Sequence, residues 1–160
     1  MQIFDFNNNS DISDWQITND DVMGGKSSGQ FVLDGNGNGV FKGEVSLENN
    51  GGFSSVKYKF EPKSIEDNTR VVLKLKGDGK TYQFRVKSDT GQRHSYIYKF
   101  ETTGEWETLK ISLSELYPVF RGRKLDLPNF SNNKLVETAF LIANGKNESF
   151  QLKIASIGLK

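Results

Sequence analysis

A chain of 160 residues without a cysteine is long enough for one ordinary domain, and it excludes a disulfide scaffold and a thiolate metal site. Its 21 basic and 20 acidic residues leave a net charge of +1 with no Lys/Arg block, which sets nucleic acid aside as the main partner. No apolar run approaches the ~20 residues of a bilayer span, and Met1 to Asp5 lacks the basic-then-apolar order of a signal peptide, so the expectation is a cytoplasmic, reducing setting.

Along the chain, Asn7 to Ser10 reads as an exposed loop. Phe31-Val32-Leu33 and Gly39 to Ser46 read as strands flanking a turn rich in glycine and asparagine, and Phe53 to Phe60 follows as the next strand. In Arg70 to Lys76, Val71, Leu73 and Leu75 alternate with Lys74 and Lys76; in Thr81 to Lys87, Tyr82, Phe84 and Val86 alternate with Gln83, Arg85 and Lys87. Gly77-Asp78-Gly79 between them predicts a tight hairpin, because glycine tolerates positive φ. Tyr96 to Phe100 and Trp106 to Ile111 are further strands. Ser112 to Leu116 predicts one helical turn, stopped by Pro118. Asn129 to Asn133 reads as a loop, and Val136 to Ala143 and Phe150 to Ile157 close the set. Short strands at this spacing, with neither a repeat nor a composition break, predict one all-β domain over residues 1–160, a sandwich or a barrel.

Sites of chemistry are sparse. The single histidine, His94, has no local carboxylate to orient it as a general base and reads as a solvent-facing residue at a strand start. There is no Gly-x-Ser-x-Gly elbow, and no acidic pair stands out among 20 carboxylates for glycoside chemistry. Asp34, Asn36 and Asn38 alternate as a calcium loop begins, but Val45 occupies the twelfth position and strands flank the loop; a hairpin connection is the better reading. Met23 to Gly29 lacks the spacing of a phosphate loop and a following helix. Phe120-Arg121-Gly122-Arg123-Lys124 sets three cations beside a ring, a pattern that suits carboxylate or phosphate partners.

Two segments are more distinctive: Asn19-Asp20-Asp21-Val22-Met23-Gly24-Gly25 after Trp15, and Ser46-Leu47-Glu48-Asn49-Asn50-Gly51-Gly52-Phe53. With Gly77 to Tyr82, Gly104-Glu105-Trp106, Phe120 to Arg123 and the last strand, they resemble the complex I intermediate-associated protein 30 family over nearly the whole chain. The resemblance implies a galactose-binding-like, two-sheet antiparallel jelly-roll sandwich. It also implies, for mitochondrial members, assistance in assembling the respiratory NADH dehydrogenase. This chain shows no mitochondrial targeting pattern, and its Asn/Lys-rich composition suits a bacterial protein.

The expectation is therefore a non-catalytic binding module without a cofactor, monomeric or weakly dimeric. Its partner is a protein such as a respiratory-complex subunit; the alternatives are a carbohydrate or, more remotely, carboxylate-dependent glycoside chemistry. Trp15, Val22, Met23, Leu47, Phe53 and Trp106 read as core. Tyr58, Tyr96, Tyr98, Tyr117 and Phe120 are the aromatics available as sugar platforms. Asn19, Asp20, Glu48, Asn49, Asn50, Arg121 and Arg123 are expected to converge, either as a buried hydrogen-bond network or as a ligand site.

Overall fold

Alternation becomes two antiparallel sheets. The computed structural model describes residues 1–19 and 25–160. Its strands are β1 (Gln2–Asp5), β2 (Trp15–Asn19), β3 (Ser28–Leu33), β4 (Gly39–Val45), β5 (Ser54–Ser64), β6 (Arg70–Lys76), β7 (Thr81–Lys87), β8 (Ser95–Glu101), β9 (Trp106–Ser112), β10 (Tyr117–Phe120), β11 (Arg123–Lys124), β12 (Lys134–Ile142) and β13 (Glu148–Leu159). One sheet runs β3-β4-β13-β6-β9, with β1 also pairing β13; the other runs β11-β10-β8-β7-β12-β5-β2. Single 3-10 turns, at Glu48–Asn50 and Leu113–Glu115, complete the regular structure of the described residues.

The apolar set of each strand faces the other sheet. Val71, Leu73 and Leu75 from β6 and Tyr82, Phe84 and Val86 from β7 share one core with Phe140 and Ile154. At one end Trp15 lies between Phe31 (4.9 Å) and Tyr58 (5.1 Å), with Phe4 and Phe6 against it. This cluster ties β2, β3, β5 and the N-terminal segment together, and burying such rings is the largest apolar gain available to a sheet.

The hairpin expected at Gly77-Asp78-Gly79 does not form: β6 pairs with β13 and β9 in one sheet and β7 with β12 and β8 in the other, so these residues turn the chain from one sheet into the other. A Cβ on Gly77 would meet Thr102 at 2.2 Å, so the turn needs a bare backbone there. Asp78 holds the turn: it accepts from the Tyr82 hydroxyl (2.8 Å) and from the Gln151 amide on β13 (2.8 Å). Burial first, then the Asp78 carboxylate, pushes the Tyr82 hydroxyl far up.

Several expectations are corrected. Trp15 is core, but Trp106 is 42% and Leu47 41% exposed, and Phe53 is half-buried; Val22 and Met23 lie outside the described residues. In β9 Leu109 and Ile111 turn toward the other sheet, so Trp106, an odd number of residues away, must point outward. Pro118 does not end a helix. It lies inside β10, where β11 pairs only from Val119 onward, so its missing donor costs little. Phe130, in the expected loop, is buried against Tyr96. β1, β2, β10 and β11 were not foreseen as strands.

Candidate binding face

Of the first distinctive segment the structure describes Asn19 and Gly25, and Asn19 lies beside the start of β5, just after the second segment. Asn19 closes β2 and is buried, accepting a hydrogen bond from the Ser54 hydroxyl at the start of β5. Gly29 passes over this bond: a Cβ there would lie 2.4 Å from Ser54 Oγ, so the glycine makes room for it. Nearby, Ser27 Oγ accepts from the Ser46 amide (2.9 Å), and Asn147 Oδ1 accepts from the Leu47 amide (2.8 Å). Glu48 and Asn49 project outward from the 3-10 turn, with Asn49 in the left-handed region (φ 54°); Asn50 belongs to the same turn. Asp20 lies outside the described residues.

Arg121 and Arg123 do not join this group. They flank the β10–β11 hairpin at one edge of the seven-stranded sheet, whereas Asn19 sits on β2 at the other edge. Six strand spacings separate them, roughly 29 Å. The Phe-Arg-Gly-Arg segment instead has a local cause. Arg121 (φ 52°) and Gly122 (φ 78°) both take positive φ between paired Phe120 and Arg123, which is the two-residue hairpin that matches strand twist. Arg121 lies over the Phe120 ring at 5.2 Å.

The glycine–asparagine loop is likewise a hairpin connection. Asp34 Oδ1 accepts the amides of Asn36 (2.9 Å) and Asn38 (3.0 Å), and Oδ2 faces Lys153 Nζ at 3.6 Å. The amides thus take up Oδ1, while Oδ2 is enclosed without a hydrogen-bond partner and has the Lys153 charge facing it. Partial burial raises the Asp34 pKa, but the amides of Asn38 and Asn36 with the Lys153 charge outweigh it and hold the group below its usual range. His94 is half-buried, packed edge-on against Tyr96, and its Nε2 is enclosed without a hydrogen-bond partner, so it is not the solvent-facing residue expected.

The polar face that stands out is the outer side of the seven-stranded sheet. Register sets its side chains in rows that cross the strands. Lys57, Ala139, Arg85, Ile97 and Tyr117 form one row over β5, β12, β7, β8 and β10. Beside it lie Ser55, Leu141, Gln83 and Lys99 on one side, and Lys59, Glu137 and Lys87 on the other. Ala139, Ile97 and Glu137 are buried although they point away from the core, so the middle of this face is recessed. Arg85 Nη1 donates to Gln83 Oε1 (2.8 Å). Burial lowers the Arg85 pKa, and the charge of Glu137 opposes that shift. A depression of about 290 Å³, lined by Thr81, Gln83, Lys99, Ala143 and Asn144, continues the face beyond the end of β12. Asn144 holds its rim by donating to Thr81 O (3.1 Å) and Glu148 Oε2 (3.0 Å).

Of the five candidate platforms, Tyr96 is buried and Tyr58 is stacked on Trp15. Tyr98 stands opposite buried Phe84 on the core side. Tyr117 does reach the outer face, but Lys124 Nζ lies over its ring at 5.4 Å. Alternation already placed Gln83, Arg85 and Lys87 outward. Glu137, an acid inside the apolar run Leu135 to Ile142, was the unread signal of a polar site on this sheet.

The fold is that of a jelly-roll sandwich of the kind built by carbohydrate-binding modules. The Family 11 carbohydrate-binding module from Clostridium thermocellum, in complex with a β-1,3-1,4-mixed-linked tetrasaccharide, matches with a TM-score of 0.72 at 16% identity, over 99% of this chain and 94% of that one. The Family 11 module of a cellulosomal cellulase of the same organism matches with a TM-score of 0.67 at 15% identity, over 98% and 94%. At the level of family, the model for complex I intermediate-associated protein 30 matches residues 4–154, and the chain belongs to that family. The mitochondrial complex I intermediate-associated protein 30 of Drosophila melanogaster is 26% identical over 183 aligned positions, covering 99% of this chain; the chain spans 62% of that relative's length.

Proposed function

We propose that this chain is a non-catalytic protein-binding module that assists assembly of a respiratory NADH dehydrogenase. The observation that carries this reading is family membership over residues 4–154. The outer face of the seven-stranded sheet supports it chemically. It is recessed and charged, and its single buried carboxylate, Glu137, stands between Lys59 and Lys87 rather than beside the second carboxylate that glycoside hydrolysis uses. The test is deletion of the gene in its source organism, followed by native-gel analysis of NADH dehydrogenase. Accumulated subcomplexes, restored by the intact chain, are expected; an unchanged level of the mature enzyme overturns the reading.

One observation favours a second reading, carbohydrate binding: the likeness to the Family 11 module at a TM-score of 0.72. Against it, Lys124 covers the ring of Tyr117, the tyrosine of the outer face, and neutral sugars are usually held on open aromatic faces. Calorimetric titration with β-1,3-1,4-mixed-linked glucan separates the two, and saturable binding would favour the second.

A further inference from the structure

The outer face of the seven-stranded sheet is more than polar. Within three adjoining rows it carries Lys57, Lys59, Arg85, Lys87, Lys99 and Lys124 against Glu137. The whole chain has a net charge of only +1, so this concentration of cations is a local property. At its centre Arg85 is partly buried and spends one donor on Gln83; no carboxylate of the described residues lies within 4 Å of it. A guanidinium has five N–H donors in a rigid fork that matches a carboxylate, so a recessed Arg85 keeps capacity for an anionic guest. The floor beside it, Ala139 and Ile97, is small or apolar, which leaves the fork accessible from one side.

We infer that this face, reading the assembly function above one step further, holds an acidic segment of the partner protein across β5, β12, β7, β8 and β10, with a Glu or Asp side chain paired to Arg85. The row from Lys57 to Tyr117 crosses four strand spacings, roughly 19 Å, which an extended segment of about six residues spans. Charge complementarity selects the occupant. Cations line the row, and the ring of Tyr117 is already taken by Lys124, so carboxylates find partners where a neutral sugar finds no open ring. The outer face of the other sheet also carries lysines, among them Lys74 and Lys110, both exposed. It has no arginine set into its middle, and it therefore serves as the control.

The test titrates the full chain with octaglutamate, and separately with an oligogalacturonate of similar length, following amide shifts and heats. Octaglutamate is expected to bind with an affinity that falls as salt rises, and to shift amides of β7, β8 and β12. Arg85→Gln or the pair Lys57→Gln/Lys99→Gln should weaken it at least tenfold, while Lys74→Gln/Lys110→Gln leaves it unchanged. Arg85→Lys, which keeps the charge but loses the fork, should fall between. Equal losses from both pairs would overturn the inference as unspecific charge; so would no binding, or binding of oligogalacturonate in preference to the peptide. The lysine pair decides the matter should Arg85→Gln disturb the fold by circular dichroism. Failure here is separable from failure of the assembly reading. A deletion strain fully rescued by Lys57→Gln/Lys99→Gln removes this face but not the function. A deletion without an assembly defect, beside peptide binding at Arg85, removes the function but not the face.

Discussion

Single residues in this sandwich matter most where a turn must hold two sheets. Asp78 bridges the Tyr82 hydroxyl, which is buried with its ring, and the Gln151 amide on β13. Asp78→Ala leaves both donors short of an acceptor and should cost roughly 1–3 kcal/mol, read as a lower urea midpoint with unchanged slope. Adding Tyr82→Phe should cost less than the sum of the single changes, because the bond is then removed from both ends. Arg121 works in the opposite sense. A non-glycine residue in the left-handed region carries about 1–2 kcal/mol of strain, and its exposed contact with the Phe120 ring returns only about 0.5–1 kcal/mol. Arg121→Asn creates the Asn-Gly pair that such hairpins prefer and should raise stability by about 0.5 kcal/mol, a small upward shift of the same midpoint.

At the level of elements, the β3–β4 hairpin has a pH signature. In the folded chain the Asp34 carboxyl sits below its ordinary value because the amides of Asn38 and Asn36 and the charge of Lys153 outweigh partial burial. A depressed folded-state pKa contributes stability above the unfolded value, about 3.9, and loses it as pH falls through the folded value. Asp34→Asn should therefore be less stable than the parent chain at pH 7, with the gap closing below about pH 4. Thermal melts at pH 7, 5, 4 and 3 check this, and a constant gap over that range would assign the role of Asp34 to geometry alone. The β10–β11 hairpin shows a different principle: Arg121 and Gly122 form the turn, so the arginines are placed by hairpin geometry before any ligand is considered.

The whole molecule is closed at one end by rings. Trp15 stacks between Phe31 of one sheet and Tyr58 of the other, and Phe4 and Phe6 complete the cluster. Trp15→Ala removes the shared member and should cost about 3–5 kcal/mol, a large part of the 5–15 kcal/mol by which domains are stable. The expected readout is a drop in melting temperature of well over 10 °C, with Trp15→Phe recovering much of it. An Ala variant that melts within a few degrees of the parent would show that the sandwich does not depend on this end. Because the outer face of β7 and β8 lies on the far side of the sheet from the cluster, peptide binding at Arg85 should survive in the folded fraction of either variant.

The amino-acid sequence by itself determined the strands whose side chains alternate. Arg70 to Lys76 and Thr81 to Lys87 carry their own inward and outward sets, since period two is a local property, and Gly77-Asp78-Gly79 marks a turn; that this turn joins two sheets rather than two paired strands was decided by the tertiary structure. The outward direction of Trp106 was equally legible from Leu109 and Ile111, had parity been weighed above residue type. The distinctive segments were enough to mark the family, because a match of residues in order does not require knowing where they lie. Tertiary structure alone decided which polar residues meet. Asn19 reaches Ser54 because β2 pairs with β5, and Arg121 stays far from both because β11 is placed at the opposite edge. Lys57, Arg85 and Tyr117 share a row although they are distant along the chain, because β12 and β8 are inserted between their strands. Strand order is a long-range outcome of packing two sheets, and a period of two residues carries no information about it.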